Sequence, residues 1–422
     1  MNVWLVNPYG PLPDEGWRDY RFAMLGKALA GNGHSVVWWT ANFSHHFKRY
    51  RSTGWRDIRV CPGFDIRLVP TTAYFKNVSF GRLRYEAIFA WRMRRAALES
   101  PKPDIIIGTD PSQIIGRACV NLSRCLDVPL MLDVFDLWPE LFSLAVPAPL
   151  RPAAPALFYP FTALRRANLR AADAVVSLCE TYMQVARRET PALSPNRTAV
   201  IFNGINVSRQ RQIIAEARAD AQLRWPKRHG ETRAVYAGTL GNNYDVSTLI
   251  ESADILRKRS RTIRLYVAGV GPLLEQVQRY VARRPNGNLT YVGSLKPNEL
   301  AGLYGTADVG LCAYSAQSNV AMPDKAYDYM AAGLPIISSL KGELADLLRT
   351  NGFGLAYASG DASSLVQALE TVAGDSKLRG EMATRSGTAA DTFDQGVQYA
   401  RYVKFIESIV GLAASDETIA HV

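Results

Sequence analysis

The chain lacks most of the marks that would assign it to a metal enzyme, a secreted scaffold or a membrane span. Its 422 residues hold five cysteines, Cys61, Cys119, Cys125, Cys179 and Cys312, with no paired CxxC spacing. Thiols scattered in this way read as reduced and structural, which excludes a disulfide framework. No HExxH and no DxD occurs, so no metal site is expected. Apolar runs stay well short of the ~18 residues that a membrane span needs. The most apolar stretch, PAAPALFYPFTAL, is broken by proline and followed by Arg165 and Arg166. The opening MNVWLVNPYG has neither a basic leader nor a long apolar core; it reads as a first strand, and a cytoplasmic place is expected. A dinucleotide fingerprint is also missing: AGVGP supplies Gly269 and Gly271, but Leu274 stands where the third glycine of GxGxxG belongs. No helix-turn-helix, RNP or zinc signature accompanies the basic charge, so nucleic acid is not an expected partner.

What is present is an alternation of apolar strands and amphipathic helices. NVWLVN, SVVWWTA, DIIIGT, PLMLDVF and AVVSLC are short runs of the kind buried in parallel sheets, and RDYRFAMLGKALA between the first two is helical. The pattern restarts with RAVYAG, RLYVAG, LTYVG, VGLCAY and LPIISS. Repeated β–α units imply right-handed crossovers, and a chain of this length splits into more than one core. The expected architecture is α/β, with two Rossmann-like domains whose parallel sheets face a central cleft. The domains are read as 1–205 and 206–392, with 393–422 crossing back to the first. The net charge of +11 suits anionic partners, whether lipid or phosphorylated small molecules.

Ligands of open α/β sheets bind beyond the carboxyl ends of strands, so the loops there carry the functional question. After VGLCAY the chain runs SAQSNVAM and then PDKAYDYMAAGLPII, a short helix closed by glycine, with Pro323 at its expected first position. Lys325 in a first helical turn opposes the helix dipole, so something must reward it. A phosphate at the helix N-terminus would do so, and Asp328 on roughly the same face suits a ribose diol. A surface Lys325–Asp328 pair is the plain alternative.

The segment PDKAYDYMAAGLPII preceded by ADVGLCAY resembles the donor-binding motif of family 4 glycosyltransferases with the GT-B fold. NGIN at 203–206 is similar to the family's interdomain signature, AGVGP to its G-x-GP loop, and YVGSL to its base-side strand. PDEGWRDYRFAMLGKALAGNGHSV is similar to the first acceptor-side unit, while WWTANFSHHFKR and DVFDLWPE resemble a subgroup that builds bacterial O-antigen, capsule and exopolysaccharide. The resemblance implies a retaining, metal-independent transfer of a hexosyl or N-acetylhexosaminyl unit. Its donor would be a nucleotide sugar, UDP or GDP, used as co-substrate with no cofactor; its acceptor would be a saccharide, free or polyprenyl-linked. Gly238, Thr239, Gly241, Gly269, Gly271, Pro272, Gly293, Ser294, Lys325 and Asp328 would bind the donor. Two departures stand out. Val320 occupies the place of the family's first motif carboxylate, and Thr239 and Tyr244 replace its usual Arg and Lys. More of the diphosphate's charge then falls on Lys325 and the helix. The first loop has Glu15-Gly16 in place of Gly-Gly, with Arg18 close behind.

On the acceptor side Asp136 is a candidate proton acceptor, or else a loop anchor. His45 and His46 are adjacent, which is not a metal spacing; they either touch a sugar or are structural. Asp110 in GTDPS is the last acceptor-side candidate, with a turn role as its alternative. FGRLRYEAIFAWRMRRAAL and LFYPFTALRRANLR set aromatic residues beside arginines, which suits peripheral contact with an anionic membrane at the inner face, or else helices with solvated arginines outside. A sugar-nucleotide epimerase of GT-B-like architecture is the alternative activity.

Overall fold

The computed structural model describes residues 1–16, 19–138, 146, 148–259 and 262–420. It divides into two units, Met1–Asn203 with Gln398–Val422, and Gly204–Val397. The divisions thus fall at 203/204 and 397/398, not at 205/206 and 392/393. A short ladder is the reason: Ile205 N–H donates to the Phe393 carbonyl (3.1 Å) and Gln395 N–H to the Ile205 carbonyl (3.0 Å), which ties 393–397 to the second unit.

In the first unit eight strands form one sheet: β1 Asn2–Val6, β2 Ser35–Ala41, β3 Arg56–Cys61, β4 Phe64–Val69, β5 Ile105–Asp110, β6 Leu130–Val134, β7 Ala174–Ser177 and β8 Thr198–Val200. Their order is β3-β4-β2-β1-β5-β6-β7-β8, parallel except for the β3–β4 hairpin at one edge. Strand side chains alternate between faces, and here both faces are covered. In β2, Trp38 packs near Phe22 (6.4 Å between ring centroids) and Trp39 meets Trp4 edge-on (5.5 Å), and all three tryptophans are buried. Each such ring removes roughly 150–250 Å² from water, about 4–6 kcal/mol of transfer free energy. Three helices bear on the site below: α1 Arg21–Gly31, α2 Phe80–Leu98 and α3 Gln113–Leu126. The C-terminal helix Gln395–Ala420 adds Tyr399, Tyr402, Val403, Ile406 and Ile409 to the core that holds Val3, Leu5 and Phe22.

The second unit has six parallel strands: β9 Thr232–Ala237, β10 Ile263–Ala268, β11 Leu289–Gly293, β12 Val309–Cys312, β13 Ile336–Ser338 and β14 Gly354–Ala356. Their order, β11-β10-β9-β12-β13-β14, is the doubly wound 3-2-1-4-5-6 pattern, so the direction of winding reverses between β9 and β12. Its core runs from Ala234, Tyr236 and Leu265 to Leu311, Ile337 and Leu369. Among the described residues no helix is long and apolar enough to cross a membrane.

Candidate functional site

The reversal between β9 and β12 is where a doubly wound sheet opens a crevice for a ligand. The helix Asp324–Ala331 sits beside it and is fastened there by Tyr329. The Tyr329 hydroxyl accepts from the Ala237 N–H (3.3 Å) and lies 3.1 and 3.3 Å from the carbonyls of Val235 and Leu311. Gly310 makes this possible, because a Cβ there would stand 2.4 Å from the Tyr329 ring. Pro323 is the N-cap with extended backbone rather than the first helical residue, so the helix begins one residue later than the sequence suggested.

Tyr329 and Lys325 are one helical turn apart and share a face. Lys325 Nζ is accordingly brought to the loop after β9, where a Cβ at Gly238 would meet it at 2.8 Å. Three tyrosine rings surround the ammonium: Tyr236 at 4.1 Å, Tyr244 at 5.0 Å and Tyr314 at 5.1 Å. The residue as a whole is partly exposed, yet Nζ is buried and has no hydrogen-bond partner among the described residues. Burial pushes its pKa from 10.5 down to about 8, with Cys312 and Asp328 pulling upward without cancelling that effect. Burial also raises the pKa of all three tyrosines, so the cage stays neutral.

The glycine loops extend the sheet beyond its strand ends. Gly238 N–H donates to the Ala268 carbonyl (3.0 Å), Gly269 N–H to that of Gly293 (2.9 Å), and Leu240 N–H to that of Val270 (2.9 Å). Gly238, Gly241, Gly269 and Gly271 are therefore one packed assembly with Lys325 against it, and Thr239 is exposed at its tip. Pro272 and Ser294 are exposed on the neighbouring loops, and Asp328 lies one turn into the helix from Lys325. The three tyrosines were not singled out by the sequence as a cage. Tyr244 entered only as a missing cation, and the three rings come from separate segments.

In the first unit the reversal lies between β1 and β5. The loop after β1 is held by Trp38 Nε1 donating to the Asn7 carbonyl (3.0 Å) and by Tyr9 N–H donating to Asn7 Oδ1 (2.9 Å). Glu86 on α2 is buried at the centre of a polar cluster. It accepts from the Tyr9 hydroxyl, from Arg82 Nε (3.1 Å) and from Ser112 Oγ (2.8 Å). Arg82 in turn lies 3.8 Å from the Trp138 ring centroid. Burial raises the Glu86 pKa, an effect Arg82 opposes. This cluster was not foreseen, because the sequence read α2 as a helix with its arginines outside, either meeting a membrane or solvated. Arg82 is in fact buried, and so is Arg165 on the helix Tyr159–Leu169.

The acceptor-side candidates fall into different roles. His45 Nδ1 is hydrogen-bonded to the Tyr74 hydroxyl, and its ring sits 5.3 Å from Tyr9. Burial, with Arg82 and Lys48 nearby, lowers its pKa to about 3, so it is neutral at ordinary pH. His46 is more exposed and also lowered by burial. Asp136 accepts from the Leu137 N–H (2.9 Å) and from Trp138 Nε1 (3.2 Å), which aims the Trp138 ring. Glu15 clasps its loop: Arg51 donates to it at 2.7 and 2.9 Å, and the Leu12 N–H at 2.8 Å. Gly16 follows with φ +76°, Asp110 is buried at the end of β5, and Arg18 and Glu140 lie outside the described residues. Among the described residues no group of three or more His, Cys, Asp and Glu side chains is arranged to hold a metal ion.

Comparison with known proteins follows the same division. Residues 231–375 match the family model described as Glycosyl transferases group 1, and residues 19–204 match the Glycosyl transferase 4-like domain. No curated protein matches the sequence. Sucrose-phosphate synthase from Thermosynechococcus elongatus is similar in structure at a TM-score of 0.74 and 17% identity, over 98% of this chain and 100% of that one. The Anabaena protein HepE in complex with UDP gives 0.64 and 13%, over 97% and 100%. WaaG, a glycosyltransferase involved in lipopolysaccharide biosynthesis, gives 0.65 and 16%, over 96% and 99%. At these identities the likeness is one of fold.

Proposed function

The chain belongs to the GT-B glycosyltransferases of family 4, and from that premise we propose that it transfers a hexosyl or N-acetylhexosaminyl unit from a nucleotide diphosphate, UDP or GDP, to a hydroxyl of a lipid-linked saccharide, with retention of configuration and without a metal. The observation that carries the donor half is Lys325: a buried ammonium without a hydrogen-bond partner, at the N-terminal turn of a helix, beside the winding reversal of a 3-2-1-4-5-6 sheet. Such a group is costly unless an anion completes it. A diphosphate placed there meets the helix dipole, Lys325 and the Thr239 and Gly241 amides, all preorganised toward the charge that grows as the leaving group departs. Asp328 takes the ribose diol in this reading. The acceptor hydroxyl attacks on the face that the diphosphate leaves, and no covalent enzyme intermediate is needed. The fold shared with a UDP-bound protein supports a UDP donor.

The lipid half of the proposal rests on the surface of the first unit. Phe80 is 89% exposed, Phe75 74% and Leu157 64%. Val78, Phe80, Leu83, Phe158 and Phe161 line a cavity of about 420 Å³ that also reaches Arg82 and Glu86. An apolar rim with Lys76 and Arg84 nearby suits a polyprenyl-linked anionic acceptor at the cytoplasmic membrane face, and the synthesis of a cell-surface polysaccharide.

Thermal unfolding against UDP-, GDP-, dTDP- and ADP-sugars tests the donor site. One nucleotide should stabilise the parent, by about 2.7 kcal/mol at a hundredfold excess over Kd. Lys325→Ala and Asp328→Ala should each reduce that effect; if both respond like the parent, the donor lies elsewhere. Incubation with the stabilising nucleotide sugar and no acceptor should give slow hydrolysis only, whereas conversion to an epimer would replace the transferase reading.

A further inference from the structure

A second cavity of the first unit, about 260 Å³, lies at the carboxyl ends of its strands, with Asn7 after β1, Phe135 after β6 and Leu178 after β7 on its walls. Five aromatic rings line it, among them Tyr9, Trp38 and Phe135, together with Asn203 and the two histidines. Among the described residues the only charged one on its walls is Arg21 of α1, and no carboxylate is among them.

Arg21 is 5% exposed and almost fully engaged. Its Nε donates to Asp133 Oδ2 at 2.6 Å and its Nη1 to the Ile201 carbonyl at 2.6 Å. Nη2 is left buried with no partner among the described residues. Asp133 is completely buried and also accepts from the Tyr402 hydroxyl (3.0 Å), so the guanidinium charge is cancelled from behind. His45 and His46 add no charge at neutral pH, since burial lowers both. The cavity thus offers apolar ring faces and a spare buried N–H donor, but no net charge. An anion entering it loses hydration and finds no free counter-charge. A hydroxyl or amide oxygen loses far less and gains the Nη2 hydrogen bond.

We infer that this cavity seats the terminal sugar of the acceptor, and that it takes a neutral monosaccharide unit in preference to a phosphorylated or uronic one, with Arg21 Nη2 donating to a sugar oxygen. The inference rests on the reading above that the first unit carries the acceptor. It deepens that reading by naming the acceptor's chemistry, and it adds Arg21 and Asp133 as specificity-determining residues.

The test uses the full chain, with saturation-transfer NMR and calorimetric titration of methyl glycosides of glucose, galactose and N-acetylglucosamine against glucose 6-phosphate and glucuronic acid. At least one neutral glycoside should bind, with the anionic sugars about tenfold weaker or worse. Leu178→Trp, which fills the cavity, should abolish sugar binding and leave the nucleotide-dependent thermal shift intact. Asp133→Asn keeps an acceptor oxygen for Arg21 and Tyr402 but uncovers the guanidinium charge, so it should narrow or reverse the preference toward the anionic sugars. Anionic sugars binding the parent as well as neutral ones would overturn the inference. So would an unchanged affinity in Leu178→Trp, or no sugar binding in a chain that does respond to nucleotide. Should Asp133→Asn fail to fold, the parent panel and Leu178→Trp still decide. If neutral sugars bind while no nucleotide stabilises the chain, the transferase reading fails, the acceptor assignment falls with it, and only the cavity's preference for a neutral sugar stands.

Discussion

Lys325 is the residue on which most turns. Three aromatic faces give its ammonium about 0.5–1 kcal/mol each, which does not replace the water it has lost. Removing the charge should therefore help the ligand-free protein. Lys325→Met should raise its stability by about 1–2 kcal/mol at pH 7, or roughly 2–8 °C in Tm for a unit of this size, while erasing the stabilisation by nucleotide. The sign with pH follows from the lowered pKa of about 8 against 10.5 for an ordinary lysine. Between those values the unfolded chain binds more protons than the native one, so the native parent gains stability as pH rises through the window. The advantage of the methionine variant shrinks over the same range. Nucleotide affinity moves the opposite way, falling above about pH 8 as the ammonium is lost. Calorimetric melts of both proteins from pH 6 to 10 check this, and a parent more stable than the variant at pH 7 would refute it. The motif spacing pointed to Lys325 because a lysine in a first helical turn needs a reason. It could not reveal the cage, since Tyr314 is distant in sequence from Tyr236 and Tyr244 and joins them only through the pairing of β9 with β12. Tyr244 entered the sequence reading only as a missing cation, and its ring centroid lies 5.0 Å from the Lys325 ammonium.

Elements built from short apolar runs between glycines were the legible part of the fold. RAVYAG, RLYVAG and VGLCAY are strands buried on both faces, and their composition says so directly. The β3–β4 hairpin was missed because Arg56, Asp57 and Arg59 leave β3 little apolar signal at its exposed edge position. The buried polar cluster on α2 was missed for a related reason: Arg82 and Glu86 have helical spacing typical of a surface ion pair, and only packing turns them inward. Glycine loops read from sequence as ligand contacts prove to have a packing duty as well. Gly269 has φ +135°, and a Cβ there would lie 1.8 Å from the Gly238 carbonyl oxygen. Gly293 has φ +87° but nothing within 4 Å of its Cβ position. Gly293→Ala should consequently cost only the conformational penalty of about 1 kcal/mol, whereas Gly269→Ala should cost several and disturb the loop that holds Lys325. Urea unfolding of the two variants separates these cases. Equal losses would mean that backbone conformation alone, and not contact between the loops after β9 and β10, sets the need for glycine at 269.

The charge of the whole molecule can now be assigned to its surface. Of the five arginines buried among the described residues, Arg21, Arg82, Arg165 and Arg233 are each matched by a carboxylate, respectively Asp133, Glu86, Glu189 and Glu231, and Arg264 is the exception. These pairs cancel, so the net +11 belongs to the remaining residues. Composition gave the sign of that charge but could not separate a solvated arginine from a structural one. An excess of surface cations attracts an anionic bilayer over a Debye length of about 10 Å at 0.1 M salt, and holds weakly unless apolar groups also enter the interface. Phe80 and Leu157 are placed to enter it, each worth about 1.5–3 kcal/mol if fully buried. The protein should sediment with vesicles containing about 30 mol% phosphatidylglycerol far better than with phosphatidylcholine alone, and salt should release it. Phe80→Ser with Leu157→Ser should weaken vesicle binding about tenfold or more at fixed salt, while the nucleotide-dependent thermal shift stays at the parent value. Binding that ignores lipid charge, or that survives the double substitution unchanged, would remove the membrane from the acceptor proposal and leave the exposed aromatic surface to a soluble saccharide.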